Sequence, residues 1–243
     1  MKILLISGHG NGDCGAIGNG YHEANLTREL VNLIAQELKR YSQVDVYDKS
    51  RNAYKDVRNG KFNVGTYDYA LEIHFNAFNS KAHGSEIYVT TRESGITVEQ
   101  AIMKNMKRYF TLRGSDGVKR VDFAVINNLK DKGISAALLE VCFIDNANDM
   151  KVYQQYKKEI AKDIVVGIAK GFGLKHKTIE VGSTVTVAKD ATIGGLASNR
   201  GNKASAYLTS KEWTVKSIAT HKGESEALLS CNTWVAVKYL TIK

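Results

Sequence analysis

The sequence predicts an α/β domain followed by a small all-β barrel, and three observations carry that prediction. Between residues 2 and 174, short apolar runs alternate with longer amphipathic ones, the signature of strands feeding helices. After Thr178 the runs become short and period-two, and Gly, Asn, Ser and Asp clusters separate them. The charge density changes at the same place: from Lys175 onward there are ten Lys and Arg against five Asp and Glu, compared with 24 against 20 before it.

The elements follow in order. KILLIS is a first strand that runs into the loop SGHGNGDCGAIGNG. In NLTRELVNLIAQELKRY the residues Leu26, Leu30, Ile34 and Leu38 recur at i, i+4 and Leu33 widens the stripe, so one helix face is buried, with Asn25 as the expected N-cap. The runs VDVYD, YALEIHF, SEIYVTT, VEQAIMKNMKRYF, AVINN and AALLEVCF continue the alternation. A last helical run, YQQYKKEIAKDIVVGIAKGFG, ends where Gly171 and Gly173 supply a C-cap. The organisation expected is therefore an α/β domain over 1–174, a basic linker over 175–179 and a β domain over 180–243, the latter built from TIEVGSTVTVA, AYLTS, EWTVKSIAT, ALLSC and TWVAVKYLTI.

Composition narrows the function classes. At 243 residues and 43% hydrophobic, the chain has ample material for a buried core. It has no run of eighteen apolar residues, and the opening MKILLISGHG is too short and lacks a small-residue cleavage site, so neither membrane insertion nor a standard export signal is expected. Cys14, Cys142 and Cys231 form neither a disulfide framework nor a thiolate zinc knuckle, which fits a reducing compartment. The net charge of +9 implies attraction to an anionic partner without saying which.

The chemistry sits at the ends of the apolar runs. GNGDCG matches GxGxxG after a strand, but the polar loop continues well past the motif before a helix begins, which argues against a dinucleotide site. His9 closes the first strand and His74 ends the apolar run YALEIH, where a buried imidazole needs a partner. Taken singly, His9 beside a glycine turn and Glu23 at a helix start have structural explanations, a carbonyl hydrogen bond and the helix dipole. As a set, two imidazoles and one carboxylate suit Zn²⁺ and leave a fourth position for water. Glu140 ends the apolar run ISAALLE and is a candidate for proton transfer next to such a water, the alternative being an ion pair with Lys130, Lys132 or Arg120. Cys14 and Cys142 are minor competitors as ligands.

SGHGNGDCGAIGNGYHE, EIHFNA, HGSEIYV and ALLEVCFIDNAND resemble the successive motifs of the zinc-dependent N-acetylmuramoyl-L-alanine amidases of the amidase_3 type, over residues 1–174. The resemblance implies a twisted, mostly parallel sheet flanked by helices, with His9, Glu23 and His74 on the zinc ligands and Glu140 on the catalytic glutamate. It further implies substrate contacts by Arg113, Lys119 and Asn76, and hydrolysis of the bond between N-acetylmuramic acid and L-alanine in bacterial peptidoglycan. Cys142 departs from the family, many of whose members carry glycine there.

The C-terminal segment resembles a bacterial SH3-like wall-binding domain in VGSTVTVAKDATIGG and TWVAVKYLTI. Trp213, Trp234, Tyr207 and Tyr239 are its candidate wall-binding aromatics, although aromatics in so small a barrel also serve as core. Its basic balance suits anionic wall polymers as partners; the aromatics are not interleaved with a basic stripe, so nucleic acid is not expected. Without an export signal, such an enzyme resembles a phage endolysin held in the host cytoplasm until release to the wall; a bacterial autolysin exported by another route or with its leader removed is the alternative. A zinc peptidase cutting the stem peptide and a non-catalytic wall-binding protein are the competing expectations.

Overall fold

The computed structural model describes residues 1–242. The chain divides into two compact units, residues 1–175 and a second from His176 onward. Among the described residues no helix is long and apolar enough to cross a membrane.

In the first unit the elements are β1 (Lys2–Ser7), β2 (Ile17–Gly18), β3 (Tyr21–His22), α1 (Glu23–Leu38), β4 (Gln43–Val46), α2 (Ala53–Arg58), β5 (Tyr69–Asn76), β6 (Glu86–Val89), α3 (Thr97–Met106), β7 (Val118–Arg120), α4 (Ala124–Asp131), β8 (Ser135–Phe143) and α5 (Ala147–Phe172). The main sheet has the order β4-β1-β5-β8-β6-β7. Strands β4, β1, β5 and β8 run parallel, and the β6-β7 pair joins β8 antiparallel, giving the mostly parallel α/β sheet expected.

Strand alternation sorts the side chains onto two faces. Ile3, Leu5, Tyr69, Leu71, Ile73, Phe75, Ala137, Leu139 and Val141 enter one core with the apolar stripes of α1, α3 and α5. Leu4, Ile6, Ala70, Ala136 and Leu138 enter a second core with α2 and α4. On that second face the apolar residues stop partway along the strands. Continuing by twos, β5 carries Glu72, His74 and Asn76 and β8 carries Glu140 on the same side, at the C-terminal ends of the parallel strands.

Three local expectations are corrected. Helix α1 starts at Glu23, so Asn25 lies inside it; His22 is the N-cap and makes no side-chain cap. Loop carbonyls satisfy the first amides instead, Glu23 N–H donating to Ala16 and Ala24 N–H to Cys14, at 2.9 and 3.0 Å. Helix α5 begins earlier than its apolar pattern, because Asn146 accepts from Asn148 N–H and Asp149 N–H. Gly173 is its left-handed C-cap (φ 65°), whereas Gly171 is helical and serves packing: a Cβ there would lie 2.5 Å from Val98 Cα, as one at Gly167 would lie 2.6 Å from Ile102 Cα. These two glycines seat α5 directly on the backbone of α3. Helix α2 and strand β7 are too short to stand out in the sequence.

The second unit contains β9 (Thr184–Val187), α6 (Ala206–Thr209), β10 (Glu212–His221), β11 (Glu224–Leu229), β12 (Trp234–Ala236), a 3-10 turn (Val237–Tyr239) and β13 (Leu240–Ile242). The strands pair antiparallel in the order β12-β11-β10-β9-β13 around a core that includes Val185, Val187, Trp213, Val215, Leu229 and Val235. AYLTS, expected as a strand, is the helical turn α6, because the Ser205 hydroxyl caps it by accepting from Leu208 N–H.

Gly167→Ala is expected to destabilise the first unit by about 1–3 kcal/mol, since backbone rather than a flexible side chain occupies the space. Thermal unfolding checks this; an unchanged midpoint would mean that α5 and α3 are not held at this contact.

Candidate metal centre

His9, Glu23 and His74 come from the loop after β1, the first residue of α1 and the end of β5, and one donor atom from each lies within 4.8 Å of the others. Glu23 is 3% exposed. Its Oε2 accepts from Ala16 N–H and its Oε1 from Phe75 N–H, both at 2.9 Å. The same two oxygens face His9 Nε2 and His74 Nδ1, again at 2.9 Å each. A buried carboxylate is thereby fixed from the loop and from the strand at once.

The backbone is shaped to let these groups converge. His9 itself has a left-handed φ of 63°, a strained position for a non-glycine residue. At Gly15 (φ 66°) a Cβ would lie 2.7 Å from Glu23 Oε2 and from the His9 ring, and at Gly8 one would lie 2.3 Å from the His74 ring. Only glycine leaves room for both imidazoles. Arg28 clamps the same loop by donating to the carbonyls of Gly8 and His9 at 3.1 and 3.0 Å, and Asp13 accepts from Gly15 N–H, from the Asn52 amide and from His9 Nδ1. Two imidazole nitrogens and a carboxylate converging in a glycine-walled cradle fit a divalent metal ion with an open fourth position.

Electrostatics match that reading. Burial works against charge on both histidines, yet the bond to Glu23 outweighs it at each: His9 is raised above its ordinary pKa and His74 well above it. Burial likewise opposes the Glu23 anion, but hydrogen bonds from His74 and His9 hold its carboxyl far below the usual range. A metal ion at this place would compete with protons for the same two nitrogens.

Glu140 pairs in register with His74 across β5 and β8. Its Oε2 is buried without a hydrogen-bond partner, and burial pushes its carboxyl up to about 7, with His74 opposing and Glu23 and Glu86 adding to the shift. The alternative ion pairs are absent among the described residues: Lys130 binds Glu93, and Arg120 donates to the Thr90 and Glu93 carbonyls.

Asn76, Arg113 and Lys119 are gathered by Glu86, which stands in register opposite Glu140. Asn76 donates to Glu86 Oε1 at 2.8 Å, Arg113 pairs with the same oxygen at 3.2 Å, and Lys119 pairs with Oε2. Cys142 is buried in the core with its thiol pushed up by burial, and Cys14 is exposed; neither joins the donor cluster. The GxGxxG loop offers no free helix terminus, because the first amides of α1 are already bonded to it.

In the second unit Trp213 is a correction. It is 8% exposed and donates its indole N–H to the Leu208 carbonyl, which makes it core rather than groove. Trp234 and Tyr239 are half-buried, while Tyr207 is 59% exposed, with Lys211 over its ring at 4.3 Å. Asp13, Arg28, Glu72 and Glu86 escaped the sequence reading. Glu72 was detectable as the residue sharing His74's face at i−2, and Glu86 lies within the HGSEIYV run.

A carboxyl raised from 4.5 toward 7 binds its proton more tightly folded than unfolded, so its stabilising contribution is present below pH 4.5 and lost as pH rises through 7. Glu140→Gln should therefore gain on the wild type between pH 5 and pH 8 by roughly 2–3 kcal/mol in the metal-free protein. Chemical denaturation at both pH values reads it, and a pH-independent difference would refute a raised Glu140.

Residues 3–170 match the family model described as N-acetylmuramoyl-L-alanine amidase, Amidase_3. The chain is 31% identical over 183 residues to Staphylococcus aureus "Probable autolysin PH", covering 66% of this chain and 37% of that one, and so spans little more than a third of it. It is 28% identical over 188 residues to the endolysin of Bacillus phage SPP1, covering 72% and 68%. The solved catalytic domain of the CD27L endolysin targeting Clostridia difficile superposes with a TM-score of 0.59 at 25% identity, over 70% of this chain and 97% of that one. With a match over most of its length, the chain belongs to the N-acetylmuramoyl-L-alanine amidase family.

Proposed function

We propose that the chain hydrolyses the amide between N-acetylmuramic acid and L-alanine in bacterial peptidoglycan, with Zn²⁺ held by His9, Glu23 and His74 and with Glu140 as proton carrier. The observation that carries this reading is the register pairing of His74 with Glu140, which sets an unpartnered carboxylate beside the three-donor cluster. Family membership supplies the substrate class.

When bound, zinc supplies a Lewis acid and a more acidic water. Glu140, with a carboxyl near 7, is matched to taking a proton from the attacking water and returning it to the leaving nitrogen. Water adds to the lactyl carbonyl, the carbon–nitrogen bond breaks, and the products are a muramic acid carboxylate and the free amine of L-alanine. Asp13 keeps His9 Nδ1 engaged so that Nε2 faces the cluster. Arg113, Lys119 and Asn76, anchored on Glu86, are proposed to contact the substrate beside Glu140.

The second unit is proposed to be an SH3-like wall-binding domain; its antiparallel sheet, basic balance and exposed Tyr207 support this. Two similar proteins named as endolysins support a phage lytic enzyme held in the host cytoplasm before release to the wall.

Digestion of purified peptidoglycan is expected to expose free L-alanine amino termini without new reducing sugars. Other amino termini would identify a peptidase, and no new ends on several wall types would leave binding alone. Glu140→Ala should lower turnover by about 10²–10⁴-fold while zinc content stays at the wild-type level, whereas His74→Ala should lose both, read by metal analysis alongside the end-group assay. For the second unit, Tyr207→Ala should reduce the fraction of protein sedimenting with walls at an unchanged melting point. Trp213→Ala should instead unfold that unit, at a cost of about 3–5 kcal/mol; wall binding intact in Tyr207→Ala would remove that residue from the binding surface.

A further inference from the structure

Glu72 is a buried acid that the proposed reaction does not use. It lies two residues before His74 on β5 and therefore on the same face of the sheet. It is 3% exposed, its Oε1 sits 3.2 Å from His74 Nε2, and its Oε2 is buried with no hydrogen-bond partner. Its one ion-pair partner among the described residues is His74 itself. A carboxylate kept out of water with one oxygen unsatisfied is costly, and its single contact is the ring that ends in the metal cluster.

We propose that Glu72 is a positioning residue that selects which nitrogen of His74 binds the metal. By accepting the Nε2–H, it turns Nδ1 toward Glu23, whose Oε1 is 2.9 Å away. This inference rests on the reading of His9, Glu23 and His74 as zinc ligands. The arrangement at His9 is its mirror: Asp13 Oδ2 takes Nδ1 at 3.0 Å, and Nε2 faces Glu23 at 2.9 Å. The two rings thus present opposite nitrogens to one carboxylate, and each has an acid on its far side. The backbone at Gly8 passes close beside the His74 ring, where an added Cβ would lie 2.3 Å from it. An outer carboxylate of this kind fixes the ring's orientation and raises the basicity of the donor nitrogen.

The test uses the full chain loaded with Zn²⁺ and labelled with ¹⁵N at histidine. Long-range ¹H–¹⁵N spectra are expected to show His74 bound through Nδ1 with a proton on Nε2, and His9 bound through Nε2. Zinc affinity by competition with a chromophoric chelator should fall about 10–100-fold in Glu72→Ala. Glu72→Gln keeps an acceptor oxygen at the same reach and should recover most of that loss. Binding of His74 through Nε2, or wild-type zinc affinity in Glu72→Ala, would overturn the proposal and leave the ligand reading standing. Equal loss in Glu72→Ala and Glu72→Gln would also overturn it, by making the carboxylate a direct ligand. A wild-type chain that binds no zinc, or keeps its affinity in His74→Ala, would bring down the ligand reading and this inference with it. Should Glu72→Ala fail to fold, the wild-type spectra and Glu72→Gln still decide.

Discussion

A carboxylate shut away from water has to be compensated on both oxygens, and Glu23 is compensated four times. Two backbone amides, from Ala16 in the loop and Phe75 in the strand, and two imidazoles, from His9 and His74, converge on it. That convergence ties the glycine-rich loop, helix α1 and strand β5 into one rigid corner. The start of α1 follows from it, because the loop carbonyls that cap the helix are held by the same fold-back. The glycines at 8 and 15 follow from it too, since any side chain there would occupy the space of the rings. Burial, which alone would keep all three groups neutral, is outweighed at each by the hydrogen bonds between Glu23 and the two imidazoles.

The second constraint is strand parity. One face of β5 and β8, from Tyr69 to Phe75 and from Ala137 to Val141, is apolar and packs under α1, α3 and α5. The other is apolar only where α2 and α4 cover it, then turns to Glu72, His74, Asn76 and Glu140. The sheet is a core on one side and, toward the C-terminal ends of its parallel strands, a polar floor on the other. Burial pushes the Glu140 carboxyl, whose Oε2 has no hydrogen-bond partner, up to about 7, and the neighbouring Glu23, Glu86 and Glu72 add to that shift. A buried carboxyl raised in this way costs stability at neutral pH.

Much of this was legible along the chain. The apolar runs YALEIH and ISAALLE carried both the strands and the polar residues at their ends, and two histidines with one glutamate offered a donor set that suits zinc before any distance was known. Short elements were not legible: α2 and β7 hold too few residues for a periodic signal. Asp13 and Arg28 were hidden because loop polar residues look alike until the carbonyls and rings they serve are in place. Trp213 could not be told from a surface aromatic, since period-two patterning marks a face and not its depth.

Sequence by itself determined the α/β class, the change to β structure near residue 178, and the residue types of the candidate metal centre, because periodicity and donor chemistry are local properties. Tertiary structure alone decided that His9, Glu23 and His74 meet within 4.8 Å and that Glu140 lies in register with His74. Those are relations between strands and loops up to 66 residues apart, counted from His74 to Glu140, and only the pairing of parallel strands brings them to one edge.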